Sequence, residues 1–405
     1  MNKKYIILII ALLTQCCLNL QAQDVKNQYN PIYYGVTSLG IAPDARAGGM
    51  GDIGAATDPD VNSQFWNPAK YPFCISRSGI ALNYTPWLRS LVSDIDLANI
   101  TGYYRLGDYD ALAGSLRYFS LGEVTTEDEM MTIRPYEMAV DLSYSRMLSE
   151  TFSAAVGLRF IYSDLAWKDD DTFPGSAFAA DIALYHNGYL MMGGRECQLG
   201  WGLNINNIGS KISYDKGNTS EFIPTNMRLG LSYMIPVDEY NTFSISADAN
   251  KLLVPTRPTM EQYVQHMVET EGGDPSMYEY DFGGYSAYLQ DEGYYNKSSI
   301  SGMFSSFSDA PGGFKEELQE IQWSIGAEYS YNNQFFVRAG YHHQAENKGN
   351  LKYFTVGAGF KMSVFSIDAG YVIAAAQNNP LDQTLRFTLA FDMDGIGDLL
   401  GRKRR

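Results

Sequence analysis

Residues Thr151–Tyr162 read TFSAAVGLRFIY, and their side chains alternate between two faces. The first face is aliphatic and aromatic along its whole length: Phe152, Ala154, Val156, Leu158, Phe160 and Tyr162. The second face is small or polar: Ser153, Ala155, Gly157 and Arg159. A period of two residues is that of a β-strand. Since a tilted strand of roughly ten residues crosses a bilayer, this segment predicts a membrane-spanning strand.

The same alternation recurs in fourteen segments of the chain. They lie near residues 78–89, 95–106, 108–120, 134–147, 151–163, 176–186, 196–207, 224–235, 241–253, 321–332, 334–344, 350–361, 363–375 and 382–393. Their polar faces carry Gly, Ser, Asn and scattered charges, which favours a barrel in lipid over a water-soluble sandwich. The predicted fold is all-β, a fourteen-stranded antiparallel transmembrane β-barrel over residues 78–393.

The connections between these segments alternate in length. Those after even-numbered strands are short, apart from a longer one at 187–195, whereas several after odd-numbered strands are long: 121–133, 164–175, 208–223 and 254–320. Short periplasmic turns and longer outside loops are typical of such barrels. Segment 254–320 is therefore the predicted extracellular loop, and a loop of this length is usually functional or disordered. Within it, RPTMEQYVQHMVET at 257–270 predicts a short helix.

Composition and the first residues agree with an outer-membrane protein. The 405 residues include 30 Tyr and carry a formal net charge of −16, which argues against nucleic acid as a partner. Lys3 and Lys4, a short apolar core and a small-residue cleavage site at Ala22 predict a secretory signal over residues 1–22. Two cysteines in this segment raise the alternative of a lipoprotein signal, which Gln15 disfavours.

Residues 23–77 precede the first strand and predict an N-terminal hatch inside the lumen. They are too polar to span lipid and too rich in small residues to form a core of their own. Glycines would let this backbone lie close to the barrel wall. Asp44 and Arg46 would pair with polar residues of the lumen, because buried charges need partners.

The stretch APDARAGGMGD, followed by NPAK at Asn67–Lys70, resembles the hatch of the FadL family of fourteen-stranded outer-membrane barrels. It looks closer still to the FadL-like barrels of the type IX secretion system in Bacteroidetes, the PorV family. The positions that match the hatch motif are Asp44, Arg46, Gly48, Gly49, Gly51, Asp52, Asn67, Pro68 and Ala69. The resemblance implies a plug and brings no catalytic residue with it.

The same resemblance implies a function and a set of partners. Such a barrel lies in the outer membrane of a Gram-negative bacterium, with its loops at the cell surface and its termini in the periplasm. It binds the C-terminal signal domains of secreted cargo after translocation, associates with the large translocon barrel, and carries cargo to a surface attachment complex. On this interpretation the loop 254–320 is the main binding surface, and lipid-facing aromatic residues contact the translocon.

Two alternatives remain at this point. The first is an outer-membrane transporter of hydrophobic small molecules, as in FadL itself, which requires an apolar pocket and usually an opening in the wall. The second, also taken from the family, is a link to lipopolysaccharide modification.

The inward faces of the predicted strands carry charges of both signs: Arg117, Asp141, Arg159, Asp181, Arg228, Asp248, Glu328, Arg338, Lys361, Asp368 and Arg386. One interpretation is an ion-conducting pore. The other is a charge-paired wall that holds the hatch, and the predicted hatch favours it.

Other motifs predict no chemistry. The run Gly49–Gly54 has the GxGxxG spacing but lacks the strand and helix of a dinucleotide site, so a hatch turn is the better interpretation. KDDDT at 168–172 is expected to be a solvated loop tip rather than a calcium site, and GRKRR ends a predicted periplasmic tail over 394–405.

No nucleophile elbow, HExxH or P-loop occurs, so we expect no enzyme, no metal site and no cofactor. The four histidines show no metal-site spacing, and His342 is predicted to face the lumen near a strand end. Cys74 and Cys197 either form one disulfide or stay separate, and the sequence does not decide between these.

Overall fold

The fold is a closed barrel of fourteen antiparallel strands, seen in a computed structural model that describes residues 29–89, 92, 94–125, 132–165, 172–217, 219–375, 379, 381–399 and 401. The barrel strands are β1 (Ser78–Pro86), β2 (Asp96–Arg105), β3 (Asp110–Ser120), β4 (Tyr136–Ser149), β5 (Phe152–Asp164), β6 (Gly175–Met192), β7 (Arg195–Gly209), β8 (Asn226–Pro236), β9 (Asn241–Leu252), β10 (Gln322–Tyr331), β11 (Phe335–His343), β12 (Lys352–Lys361), β13 (Phe365–Ala374) and β14 (Leu385–Asp392). Each strand pairs with its neighbours in sequence, and β1 pairs with β14. The predicted fourteen-stranded fold is confirmed.

Side-chain exposure along each strand follows the predicted alternation. In β5, Val156 and Leu158 are 59% and 70% exposed, whereas Ser153 and Arg159 are 0% and 5% exposed. The apolar side chains therefore cover the outer surface, and the polar side chains face inward. This is the reverse of a water-soluble protein and is typical of a barrel in lipid.

Residues 29–77, which we call the hatch, occupy the interior of the barrel. They form a 3-10 helix at Thr37–Gly40, the one-turn helices α1 (Ala45–Gly48) and α2 (Ser63–Trp66), and a second 3-10 helix at Pro68–Phe73. Their polar atoms bond to inward-facing side chains on many strands, including Asn83 of β1, Ser143 of β4, Asp248 of β9 and Thr388 of β14. Because these strands lie on different sides of the barrel, the hatch lies within the lumen.

The two ends of the barrel differ. At one, the short-turn end, β6 and β7 are joined only by Gly193 and Gly194, whose φ angles are 60° and 78°. The longer connection predicted at 187–195 is wrong, because the ladder continues to Met192 and resumes at Arg195. Two residues with positive φ are what a tight two-residue hairpin requires, and glycine adopts them without strain.

The other end, the long-loop end, carries most of the helical structure. The segment between β9 and β10 contains α3 (Met260–Thr270), α4 (Phe282–Asp291), α5 (Ser299–Ser305) and α6 (Phe314–Gln319), with a 3-10 turn at Pro275–Met277. The helix predicted within 257–270 is therefore present as α3, and a capping box of Thr259 and Gln262 fixes its start. Short strands at Val124–Thr125 and Thr132–Ile133 pair in another loop, and Glu346–Lys348 forms a 3-10 turn.

The chain after β14 is described as far as Leu399 and at residue 401, and none of its helical residues is buried. It begins with α7 (Met393–Leu399), because Asp392 Oδ1 accepts the backbone N–H groups of Asp394 and Gly395 at 3.0 and 3.1 Å. The predicted signal segment 1–22, residues 168–171 of the acidic loop tip and residues 402–405 of the basic end lie outside the described residues. Within the described ranges, no helix is both long and apolar enough to cross a bilayer.

Candidate functional site

The hatch contacts the barrel wall backbone to backbone, at pairs of facing glycines. Gly202 lies opposite Gly230, Gly326 opposite Gly340, and Gly357 opposite Gly370. A Cβ atom added at Gly370 would lie 2.9 Å from Ala45 O, and one added at Gly340 would overlap the carbonyl group of Met50. The glycine pairs therefore provide the space in which the hatch backbone lies.

The hatch glycines complete these contacts from the other side. A Cβ atom at Gly49 would lie 2.9 Å from Gly357 Cα, and one at Gly48 would lie 2.7 Å from Arg386 Cδ. Gly51 has a φ of 79°, which disfavours a side chain in any surroundings. Hence the Gly-Gly-x-Gly run serves close packing, and it begins at Gly48, the last residue of α1, rather than after the strand that a dinucleotide site would need.

Asp44 and Asn67 cap the short helices of the hatch. Asp44 Oδ2 accepts the N–H of Ala47 at 2.9 Å and its Oδ1 accepts Trp66 Nε1–H at 2.5 Å. Asn67 Oδ1 accepts the N–H of Ala69 at 3.0 Å, and its Nδ2 donates to Ala55 O at 2.9 Å. These short polar side chains satisfy donors at helix starts and join separate hatch segments. Pro68, the first residue of the second 3-10 helix, is buried as well.

Two hatch charges bind charges of the wall. Arg46 donates to Asp60 Oδ2 at 2.8 Å within the hatch and to Glu328 Oε1 of β10 at 3.3 Å. Asp52 pairs with Arg386 of β14 and accepts the hydroxyl of Tyr353 at 2.6 Å. These two side chains fasten the hatch to strands on the β10–β14 side of the barrel.

The inward-facing charges of the wall form further buried clusters. Arg338 reaches Glu328 Oε2 and Asp368 Oδ1, both at 2.5 Å. Arg159 pairs with Asp141 and with Asp181, the latter at 3.0 Å.

Two more wall charges bind the hatch backbone. Asp248 Oδ2 accepts the N–H groups of Gly54 and Ala55 at 2.9 and 3.0 Å. Arg117 Nη1 donates to the carbonyl oxygen of Ile41 at 2.9 Å.

Two of the eleven predicted lumen charges stand apart. Lys361 is exposed at the short-turn end of β12, away from these clusters. Arg228 is buried and stacks its guanidinium over the ring of Trp66, 4.4 Å from the centroid, without an ion pair to any described residue. His342 is buried as well, and its Nδ1 lies 2.9 Å from Ser324 Oγ.

A cavity of about 450 Å³ separates the hatch from the long-loop end. Its walls combine apolar residues of the rim, among them Trp87, Leu351 and Leu381, with a polar floor that includes Arg228 and Arg386. Sequence patterns do not reveal this cavity, because its lining comes from the hatch, several strands and five loops. No periodic signal in the sequence marks such a set.

A buried cluster of two lysines and three glutamates fastens the long loop to the rim. Lys251 of β9 reaches Glu317 at 3.0 Å and Glu320 at 2.6 Å, and Lys348 reaches Glu316 at 2.5 Å and Glu320 at 3.0 Å. Burial alone would raise the pKa of Glu316, but the hydrogen bond and charge of Lys348 outweigh it and hold that pKa below its ordinary value. We call these five residues the rim cluster.

The long loop also exposes large apolar side chains to solvent. Those more than two-thirds exposed are Met277, Tyr280, Phe282, Phe304 and Phe314. Soluble proteins rarely expose many large apolar side chains together. A concentration of them on one surface indicates an interaction site. We call these five residues the loop apolar set.

Aromatic rings lie along the outer wall near the long-loop end. Tyr118, Tyr136 and Tyr162 follow one another on β3, β4 and β5, with ring centroids 5.6 and 6.0 Å apart. Trp323 and Tyr341 form a similar contact at 5.6 Å on β10 and β11. Such girdles mark the interface between lipid and water in outer-membrane barrels.

No group of three or more His, Cys, Asp or Glu side chains in the described ranges is arranged to hold a metal ion. Cys74 and Cys197 are buried and unpaired, which answers the question that the sequence left open.

Comparisons with solved structures give distant barrels. The toluene transporter TbuX of Ralstonia pickettii is 12% identical, with 87% of this chain and 97% of that chain covered and a TM-score of 0.45. A FadL homologue of Pseudomonas aeruginosa is 11% identical, with 90% and 99% covered and a TM-score of 0.43. The Pseudomonas putida toluene transporter TodX is 10% identical, with 90% and 99% covered and a TM-score of 0.46. None of the curated proteins matches the chain.

The family comparison is more specific. The family model described as "Type IX secretion system protein PorV" matches residues 23–259, which is more than half of the 405 residues. This range includes the hatch motif and the first nine barrel strands. A closed barrel with an apolar outer surface and aromatic girdles belongs in the outer membrane. The chain therefore belongs to the PorV family, and it is an outer-membrane component of the type IX secretion system.

Proposed function

We propose that this barrel binds the C-terminal signal domains of secreted cargo at its long loop and carries them from the translocon to the surface attachment complex. The observation that supports this most directly is the loop apolar set, which lies on a folded loop fastened to the barrel by the rim cluster. The long-loop end faces the cell surface on this proposal, and the termini face the periplasm. The role consists of binding and transport without a catalytic step.

The loop is built to present a surface rather than to fill the barrel. Three of its four α-helices begin at side-chain caps, with Thr259 on α3, Asp281 on α4 and Ser298 on α5. A loop ordered in this way loses less conformational entropy on binding than a flexible one. Its exposed apolar side chains supply the burial that drives protein association, and its many carboxylates favour a cargo surface with basic residues.

The filled lumen favours a barrel that is closed to cargo over one through which cargo passes. The hatch fills the middle of the barrel and is bound to the wall by buried ion pairs. Separating such pairs leaves unpaired charges in a low-dielectric interior and is strongly unfavourable. Cargo would accordingly pass through the separate translocon barrel, which the outer wall of this protein contacts in the membrane.

Transport of hydrophobic small molecules is the second candidate function. The apolar rim of the cavity, with Trp87, Leu351 and Leu381, is the observation that favours it. Co-purification separates the two candidates. Secreted proteins and a large barrel support the first function, and a bound apolar molecule without them supports the second.

The test uses the full-length protein isolated from native membranes. A variant with Tyr280→Ser, Phe282→Ser, Phe304→Ser and Phe314→Ser removes most of the loop apolar set and leaves the rim cluster intact. We expect it to lose at least tenfold in recovery of cargo signal domains, while its heat-modifiable gel mobility stays that of the parent. Tyr109→Ser is the matched control, since Tyr109 is 62% exposed at the short-turn end. Undiminished recovery of cargo by the loop variant would refute the proposed binding surface.

A further inference from the structure

Arg228 is a buried cation that touches no carboxylate in the part of the chain that the structure describes: Asp248, Asp52 and Asp44 act on it only from beyond 4.0 Å. Its side chain is 7% exposed, and no carboxylate of the described residues lies within 4.0 Å of its guanidinium. Only Nε has a neutral acceptor, Asn250 Oδ1 at 2.7 Å, while Nη1 has no hydrogen-bond partner. A buried guanidinium in this state is costly unless an anion is supplied from outside.

The other arginines among the predicted lumen charges have the bonding partners that the guanidinium of Arg228 lacks. Arg159, Arg338 and Arg386 each pair with a carboxylate, and Arg117 donates to backbone carbonyl groups. Arg228 instead borders the 450 Å³ cavity beneath the long-loop end. That volume lies within the range of about 300–1,000 Å³ that is usual for ligand sites.

The remaining charges around the cavity already have partners. Asp52 and Arg386 bind each other, and Glu320 and Lys348 bind each other in the rim cluster. His342 is hydrogen-bonded to Ser324. Arg228 is therefore the one charged group of the described cavity lining that lacks a partner of opposite charge.

The cavity wall is unusually rich in amide side chains: Asn206, Asn207, Asn226, Asn250, Gln322 and Gln344. Two of their carbonyl oxygens, Asn206 Oδ1 and Gln344 Oε1, are buried without a hydrogen-bond partner. Amide groups both donate and accept, as the main chain of a peptide does. A hydrocarbon chain would leave the two unpartnered oxygens, Asn206 Oδ1 and Gln344 Oε1, unsatisfied, so the wall suits a peptide better than an acyl chain.

We propose that the cavity binds the C-terminal end of an extended peptide, with Arg228 holding the terminal carboxylate and the amides bonding the main chain. A planar guanidinium is the side chain best matched to a carboxylate. Apolar side chains of the peptide pack against Trp87 and Leu351. This inference rests on the proposed function in one respect: the signal domain of cargo supplies the peptide terminus.

The first test uses the full-length protein and two degenerate mixtures of N-acetylated hexapeptides. One mixture ends in free carboxylates and the other in carboxamides. Native mass spectrometry after removal of detergent counts the retained peptides. We expect the acid mixture to be retained at least tenfold better than the amide mixture, and Arg228→Gln to abolish this preference. Arg228→Lys should keep part of it, and Lys361→Gln, at the exposed position near the short-turn end, should keep all of it.

Several outcomes would overturn the inference. These are equal retention of acids and amides, an unchanged preference in Arg228→Gln, or retention of sodium laurate in place of either peptide mixture. If Arg228→Gln fails the heat-modifiability test for folding, the double variant Asn206→Ala and Gln344→Ala replaces it. We expect that variant to lose acid retention severalfold, and full retention by it would also overturn the inference.

A second measurement separates this inference from the proposed function. A cargo signal domain is prepared with its native carboxylate and with a C-terminal carboxamide. Equal capture of both forms refutes the inference and leaves the proposed function intact. Retention of acid hexapeptides without capture of any signal domain leaves the carboxylate site intact and refutes the proposed function.

Discussion

The pair of Asp52 and Arg386 gives the sharpest test of how the hatch is held. Arg386 is 1% exposed on β14, and its Nη2 donates to Asp52 Oδ2 at 3.3 Å while Nη1 contacts Oδ1. Tyr353 donates to the same carboxylate at 2.6 Å. Replacing Arg386 with Met keeps much of the side-chain volume but leaves Asp52 with a single donor from the wall.

The expected loss of stability follows from burial. Two unit charges about 4 Å apart attract by about 4 kcal/mol at an effective dielectric constant of 20. Removing one partner of a buried pair costs about 3–5 kcal/mol, because the other charge stays desolvated. We therefore expect Arg386→Met to lower the free energy of unfolding by about 3–5 kcal/mol. Adding Asp52→Asn should restore about 2–3 kcal/mol, since the stranded charge is then removed.

The assay is reversible denaturant unfolding of the barrel in lipid vesicles, followed by tryptophan fluorescence. Parent, both single variants and the double variant form a double-mutant cycle that isolates the coupling between the two side chains. Arg146→Met is the control, because Arg146 pairs with Asp110 at 3.5 Å on the exposed surface, where solvent screens the pair and its loss has little effect on stability. A loss below about 1 kcal/mol for Arg386→Met, or a coupling near zero, would refute the assignment of this pair as the anchor of the hatch.

Two further predictions concern the loop and the glycine pairs. Because the pKa of Glu316 lies below its ordinary value of 4.5, its contribution to loop docking is present above that value and is lost as pH falls through the lower folded value. Hydrogen exchange corrected for intrinsic rates should therefore rise for amides 314–320 relative to the strands between pH 6 and pH 3, and a flat profile would contradict this. Gly340→Ala should cost about 1–3 kcal/mol by driving a methyl group into Met50, whereas Gly107→Ala, with no atom within 4 Å, should be neutral in the same unfolding assay. Equal stability of these two variants would show that the hatch backbone does not need the space.

Most of the barrel could be predicted from sequence, because alternate residues of each strand face lipid, which requires apolar side chains, and the lumen, which accepts polar ones. That pattern is repeated in each strand, so small errors at the boundaries do not destroy it. It failed at 187–195, where Gly188 and the pair Gly193 and Gly194 resembled a loop. In the structure, the hydrogen bonds between β6 and β7 and the two-residue turn outweigh the low strand propensity of glycine at these positions.

The candidate sites were only partly accessible to sequence reasoning. The charges of the lumen could be identified from their position in the alternation, but their partners depend on register across several strands. Arg338 and Arg228 look alike in the sequence, yet Arg338 pairs with two carboxylates and Arg228 touches none among the described residues. The cavity and the rim cluster join residues from distant loops, for which no local pattern exists. The facing glycines were visible in the strand segments and become interpretable only with the register known.

The anchoring of Asp52 to the final strand has a consequence for biogenesis. The seam between β1 and β14 closes the cylinder, and Arg386 and Thr388, which bind the hatch, both lie on that last strand. A nascent chain that lacks its last segment has an open wall, and its hatch lacks the bonds from Arg386 and Thr388 while it keeps those from β9 and β10. Insertion of the last strand therefore closes the cylinder and completes the attachment of the hatch in the same step.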